Sequence, residues 1–259
     1  MNSLGNRMKD YYENVYRIRL TRRTPVIIRI DGKAFHTFAR GLKRPYDMVL
    51  KNTMWNTAIY LCEHIQNARI AYVQSDEISI LLIDYNKFTT SAWFDNNIQK
   101  MCSVSASMAT MAFNRFFAEE TEKAFTQLNY INEEKFNQVY KKKWHNAMFD
   151  ARTFNLPESE VCNYFIWRQQ DATRNSIESL GRTYFSQNEL HKVNCNQIQD
   201  KLMIEKGVNW NDCPVFFKRG VCIERKDVQD DCAWNIDMDI PIFTQDRNYI
   251  EKHLEVEDK

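Results

Sequence analysis

Two β-structured stretches of this chain end in carboxylates, and that pairing restricts the available folds more than any other feature. Residues 24–30 (TPVIIRI) form a β-branched run that meets Asp31-Gly32, which reads as a buried strand entering a turn. Residues 70–73 and 78–83 are two further strand-like runs, separated only by Gln74-Ser75-Asp76-Glu77. So short a gap excludes a crossover helix and predicts an antiparallel hairpin. If the first strand pairs beside this hairpin, Asp31, Asp76 and Glu77 converge at one end of a sheet.

Clustered carboxylates repel one another unless a cation neutralises them. Two readings stay open on the residues alone. Asp-Gly and Ser-Asp-Glu are ordinary turn chemistry. They are equally a site for Mg²⁺, which takes oxygen ligands and needs only one or two carboxylates when substrate phosphates supply the rest. Two such ions serve phosphoryl transfer, and on that reading Gly32 lets a triphosphate approach the backbone and offers its carbonyl.

The remaining pattern alternates helices with strands. Asp47 is placed to cap a helix whose apolar face carries Leu50, Met54, Ala58, Leu61, Cys62 and Ile65. Met101, Met108, Ala112 and Phe116 mark a second helix, residues 149–154 a strand, and Val161 to about Leu180 a third helix. Residues 187–204 read as helical and 215–223 as a strand. This order predicts an α+β fold: an antiparallel, ferredoxin-like sheet with helices packed on one side. A single domain over residues 1–226 is expected, with a polar, Lys-rich insertion at 119–147 and an acidic extension at 227–259.

Composition narrows the class. Gly (6) and Pro (5) are too few for a collagen, a low-complexity linker or a turn-dense all-β fold. Charge is balanced overall (+1) but graded. Residues 1–50 hold 11 Lys/Arg against 4 Asp/Glu, and residues 227–259 hold 3 against 10. A basic end suits a polyanionic partner. Seven cysteines without a CxxC pair read as reduced thiols, the N-terminal residues show no leader pattern, and no apolar run approaches the roughly 20 residues of a membrane span. A cytoplasmic protein with no membrane partner is expected.

Several blocks together resemble the tRNA-histidine guanylyltransferase family: LGNRMKDYYE, IIRIDGKAFHTFARGLKRPYD, AYVQSDEISILL, FDAR at 149–152, FIWRQQDATRNS at 165–176, and NWNDCP followed by FKRG at 209–220. The matches run in order from about residue 4 to 226. The resemblance implies a polymerase-palm-like domain that adds nucleotides to the 5′ end of tRNA in the 3′-to-5′ direction, with ATP and GTP or other NTPs as substrates. It also implies two Mg²⁺ ions, contact with the tRNA 5′ end and acceptor stem, and a homotetramer.

Carried over position by position, Asp31, the Gly32 carbonyl and Asp76 are the implied metal ligands, and Glu77 is the adjacent catalytic carboxylate. The implied nucleotide-binding residues are Asp31, Gly32, Lys33, Ala34, Phe35, His36, Ser75 and Asp76. Arg44 (or Lys43) and Lys100 are added as triphosphate contacts. His36 otherwise packs against its helix. Arg152, Arg168 and Arg174 are expected on an RNA surface, and Trp167 in the core. Lys141–Lys143 with Trp144 offer either phosphate and stacking contacts or a plain surface helix.

Three departures matter. Ala151 stands where many members have Gly. Asn96 and Asn97 stand where eukaryotic members are basic. Thr173-Arg174-Asn175-Ser176 stand where eukaryotic enzymes carry the His-Ile-Asn-Asn motif associated with tRNA-histidine. The last points to the bacterial and archaeal-type branch and to templated repair of shortened 5′ ends. Obligate G addition at position −1, a palm-type nucleotide cyclase and a non-catalytic RNA-binding module are the alternatives. The last is disfavoured because the IIRI and ISILL strands lack stacking aromatics.

Overall fold

Alternation along the first strand sets the architecture. In β1 (Val26–Gly32), Val26, Ile28 and Ile30 face one way and Ile27 the other, and all four are buried. A strand that is apolar on both sides has to be covered on both faces. The computed structural model describes residues 3–127, 133–225 and 233–256, and in it helices lie on both sides of the sheet, not on one as expected.

The strands β1, β2 (Ala68–Gln74), β3 (Glu77–Leu82), β4 (Phe149–Asn155), β5 (Val221–Arg225) and β6 (Trp234–Asp237) form one sheet of order β4-β1-β3-β2-β5-β6. Every neighbouring pair is antiparallel. After the short helices α1 (Leu4–Met8) and α2 (Phe35–Phe38) come the two long crossovers, α3 (Met48–His64) between β1 and β2 and α4 (Ile98–Gln127) between β3 and β4. This β-α-β-β-α-β order with spatial order 4-1-3-2 is the ferredoxin-like unit, and β5 and β6 extend its β2 edge.

On one face α3 and α4 bury Met54, Ala58, Leu61, Met101 and Phe113 against Val26, Ile28, Ile30 and Ile80. Asp47 starts α3 as expected, its Oδ1 accepting from the Leu50 amide at 3.1 Å. Beyond α4 lies α5 (Glu133–Val139), and on the other face is α6 (Glu158–Tyr184). Val161, Phe165 and Ala172 of α6 pack on Ile27, Tyr72 and Leu81. The chain closes with α7 (Cys195–Lys206), α8 (Val215–Arg219) and α9 (Asn248–Glu251).

Three expectations change. The acidic extension is no separate unit. β6 pairs with β5, and Ile240, Phe243 and Ile250 are buried in the same core as α6; residues 226–232 lie outside the described residues. The run 215–223 splits into α8 and β5 around Gly220, at φ +81°, where a Cβ would lie 2.4 Å from the Val73 carbonyl oxygen. Residues 119–127 continue α4, so the insertion at 119–147 is smaller than expected. Within it Lys143 donates to the Phe38 and Arg40 carbonyls at 2.5 and 2.9 Å, which ties this segment to α2 and the residues after it. Among the described residues no helix is long and apolar enough to cross a membrane, and the described cysteines are free; Cys232 lies outside them.

Candidate active site

Antiparallel pairing places side chains opposite one another on the same face of a sheet. On the α6 face of β4, β1 and β3 this builds rows across the strands. The innermost is apolar: Phe154, Ile27, Leu81. The next is Arg152, Arg29, Ser79, and the last, at the sheet's end, is Asp150, Asp31, Glu77. The β2–β3 hairpin turns through Ser75 and Asp76 as the sequence predicts. Asp76 closes the row: its carbonyl accepts from the Gly32 amide at 3.1 Å, and its Oδ1 accepts from the Ser75 hydroxyl at 2.8 Å. Ser75 sits at φ +49°, a left-handed conformation that is costly for a residue with a Cβ.

The two aspartates are electrostatically uncomfortable. Burial pushes the Asp76 carboxyl up to about 6, with Asp31 adding to the rise and the Ser75 hydroxyl opposing it. Burial also raises Asp31, helped by Asp150, against the pull of Arg152, Arg29 and Arg168. Glu77 differs. Arg168 reaches from α6 and donates from Nε to Oε1 at 2.7 Å and from a terminal amine to Oε2 at 2.8 Å, both side chains being buried. Among the described residues no group of three or more His, Cys, Asp or Glu is arranged as a metal cage. The side-chain donors at this end of the sheet are the carboxylates of Asp31 and Asp76, hard oxygens whose chemistry fits Mg²⁺ that arrives with phosphates.

The loop after β1 stands beside the aspartates. Ala34 adopts a left-handed conformation (φ +55°) and starts α2, and Lys33 is anchored through its amide to the Met148 carbonyl at 2.9 Å. Lys33 and His36 are exposed, and His36 Nε2 lies 3.0 Å from the Thr37 hydroxyl. Phe35 is buried, its ring filling the space where a Gly32 Cβ would stand, 2.2 Å from the nearest ring atom. Packing against Phe35 therefore requires a glycine at position 32.

Several expected residues are elsewhere. Arg168 is 6% exposed and held by Glu77 and by Asp171 (2.9 Å), which places it beneath the surface and not on an RNA-facing one. Lys100 stands at the opposite end of the sheet: its amide is held by Asn97, while Asn96 is bound to Asp84, just beyond the β3 end that pairs with Val26. Arg44 donates to the Arg182 carbonyl at 3.3 Å, about four turns along α6 from Arg168. Arg152 is beside Asp31, held by Asp150 at 2.9 Å, and Arg174 is exposed and paired with Asp171. Trp167, expected in the core, is 51% exposed and lies over Arg29 and Arg168 at 5.6 and 4.4 Å. Sequence reasoning missed Asp150 and Arg29, whose positions depend on which strands become neighbours.

A ferredoxin-like sheet with paired aspartates at the end of β1 and in the β2–β3 turn, beside a short exposed loop, defines a palm-type nucleotidyltransferase. Comparison with known proteins narrows the class. A family model for tRNAHis guanylyltransferase matches residues 5–157. A bacterial tRNA(His) guanylyltransferase-like protein solved with ATP is 45% identical, over 98% of this chain and all of that one, with a TM-score of 0.85. A GTP complex of a bacterial protein of the same description gives 42% and 0.78 over the same shares. The Saccharomyces cerevisiae tRNA(His) guanylyltransferase is 28% identical over 218 residues, 78% of this chain and 82% of that protein. The chain belongs to the tRNA(His) guanylyltransferase family.

Proposed function

We propose that this chain repairs the 5′ ends of tRNA by adding nucleotides in the 3′-to-5′ direction, each chosen by pairing with the opposing base. The observation that carries the reading is the placement of Asp31 at the end of β1 beside the turn that carries Asp76, whose carbonyl accepts from the Gly32 amide, with burial raising both carboxyls above their ordinary range. A group that carries both Mg²⁺ and phosphates balances that charge, and ATP and GTP fit this description.

In the first step an oxygen of the tRNA 5′-monophosphate attacks the α-phosphorus of ATP and pyrophosphate leaves. In the second the 3′-hydroxyl of an NTP attacks the activated 5′-phosphorus, AMP leaves with the bonding pair, and the hydroxyl proton passes to solvent. Asp31, the Gly32 carbonyl and Asp76 would hold two Mg²⁺ ions, which when bound lower the pKa of an attacking hydroxyl and offset leaving-group charge. Ser75 orients Asp76 through their hydrogen bond. Glu77, locked to Arg168, holds the turn in place, which makes it a positioning residue for Asp76. Lys33 and His36 are exposed where a triphosphate along the loop would lie, and Arg29, Arg152 and Trp167 offer cations and a ring face to an RNA end.

The α6 surface supports templating. Of Thr173-Arg174-Asn175-Ser176, Ser176 is buried and accepts from Trp210 Nε1 at 3.0 Å, and Asn175 donates to Asp171 at 3.3 Å. Arg174 is exposed beside it, paired with Asp171 and open to a phosphate, and neither a histidine nor a tandem asparagine stands in this stretch. By family analogy we also propose a cytoplasmic homotetramer. Leu4, Tyr11, Tyr12, Val15, Tyr16 and Ile18 are all more than 60% exposed, an apolar surface that another copy would cover.

The test is product sequencing on tRNAs that differ only at the templating base and the anticodon. Expected is repair of several species, with G opposite C and U opposite A. G addition whatever the opposing base, confined to a histidine anticodon, would replace repair with obligate G addition. Release of a cyclic nucleotide without RNA would make the chain a cyclase.

A further inference from the structure

One exposed aromatic ring, Trp167, stands beside the carboxylates. Among the described residues the other exposed rings lie on residues 11–16, in the loop between β3 and α4, or at the end of α6. The Trp167 ring centre is 5.6 Å from the Arg29 guanidinium carbon and 4.4 Å from that of Arg168. Arg29 precedes Asp31 by two residues on the same face of β1, about 7 Å along the strand. Arg168 grips Glu77, in the row that holds Asp31. The ring therefore stands about one row in from the aspartates.

The indole is braced from the sheet side. Tyr164, buried one turn earlier on α6, meets it edge-on at 5.9 Å and shares a 2.7 Å hydrogen bond with Ser79 of β3. Arg29 rises from β1, and the Arg168 guanidinium is turned down to Glu77. These three neighbours cover the inner part of the ring, which leaves the outward half open. A single exposed apolar side chain is ordinary. One held in a fixed pose beside a reactive site has already lost the rotamer freedom that binding would otherwise cost. Arg174 lies seven residues later on the same helical face, about 10 Å along the axis, and is exposed. A ring face with a cation beyond it is the combination that holds a nucleic-acid strand by base and backbone.

We propose that Trp167 stacks on the outer face of the base pair formed between the template base and the incoming nucleotide, closing the end of the RNA duplex above Asp31 and Asp76. The inference rests on the templated-addition reading above and adds the residue that holds the new pair flat. A pair at the end of a duplex has a stacking neighbour on one side only, and Trp167 supplies the second. Every base has a π face, so the contact accepts all four, as templated addition requires. Choice of nucleotide stays with base pairing. Arg174 is placed for a phosphate of the template strand.

The experiment compares the full-length wild type with Trp167→Leu and Trp167→Phe. Both substitutions keep an apolar cover over Arg168, and only phenylalanine keeps a π face; melting temperatures check the fold. In Trp167→Leu the KM of the templated NTP should rise about five- to 150-fold, the range for losing one base–aromatic stack. Its kcat should change little, because the stack is made before as well as during transfer. ATP-dependent activation of the 5′-monophosphate, assayed without the templated NTP, should stay within about twofold. Trp167→Phe should restore most of the KM. A KM within twofold of wild type in Trp167→Leu would overturn the assignment. So would an equal loss in the activation step, which would place the ring on the activating ATP or on the RNA body.

A second readout needs no transfer. A shortened tRNA with 2-aminopurine at the templating position is mixed with 3′-deoxy-UTP, which pairs but lacks the attacking hydroxyl. Wild type and Trp167→Phe should quench the probe more strongly than Trp167→Leu does. Equal quenching by all three would overturn the stack. Quenching that depends on Trp167, in a protein that extends no tRNA, would support the stack and overturn only the transfer reading.

Discussion

Arg168 on α6 grips both carboxylate oxygens of Glu77 at the first residue of β3, at 2.7 and 2.8 Å, with neither side chain open to solvent. The pair fastens the helix on one face of the sheet to the turn that presents Asp76. A second carboxylate, Asp171, holds the same guanidinium from one turn further along α6. The geometry is bidentate and planar, which a lysine cannot reproduce.

Arg168→Ala should therefore destabilise the fold by about 3–5 kcal/mol, because it leaves Glu77 buried without a cation. The double variant Glu77→Met/Arg168→Met should recover much of that loss, since well-packed apolar residues often replace a buried ion pair without penalty. Denaturant midpoints measure both. Equal stability of Arg168→Ala and wild type would mean that the pair contributes nothing to the fold.

Asp31→Asn and Asp76→Asn should each lose nearly all nucleotide transfer and keep fold and tRNA affinity. Removing either charge relieves repulsion in the ligand-free protein, so melting temperatures should hold or rise slightly. The wild type should gain thermal stability on adding Mg²⁺ with ATP, and both variants should gain much less. Transfer within tenfold of wild type in either variant would exclude the metal assignment.

Gly32→Ala tests the reason for that glycine. The added methyl would overlap the Phe35 ring, with ring atoms at 2.2–2.6 Å, and should cost about 1–3 kcal/mol as an overpacked core. Adding Phe35→Leu should restore part of the loss. If the single variant melts like wild type yet binds ATP poorly, the glycine serves the ligand instead.

Acid should loosen the C-terminal segment. His253 at 3.4 Å and Lys252 at 2.9 Å hold the Glu224 carboxyl down at about 2 against the opposing effect of burial. A folded value below the unfolded one, ordinarily near 4.5, means stability that is fully present above that range. It is lost as pH falls through about 2. Glu224→Gln should accordingly cost on the order of 2–3 kcal/mol at pH 7 and much less near pH 2.5. Unfolding curves across that range provide the check, and a cost that does not vary with pH would rule out the charge as its source.

Much of the site was readable from short-range pattern. The run ending at Asp31 and the hairpin around Asp76 follow from β-branched alternation and turn residues within about ten positions, and Asp47 from helix-cap chemistry. These signals are local because strand period, turn geometry and capping each act over a few residues. Reading 215–223 as one strand failed because apolar content alone does not separate a short helix from a strand; Gly220, forced left-handed against Val73, makes the break.

The rest was written in contacts between distant segments. Asp150 joins the acidic row only because β4 settles beside β1 in the register that pairs Asp31 with Asp150, 119 residues apart in sequence. Arg168 becomes a buried partner of Glu77, and not an RNA contact, because α6 covers the second face of the sheet. Trp167, one residue earlier, is left half-exposed by the same helical turn. Lys100 lies at the far end because α4 enters there and runs back along the sheet. Helical period tells which residues share a face, but which face is buried, and against what, is set by the packing free energy of the assembled layers.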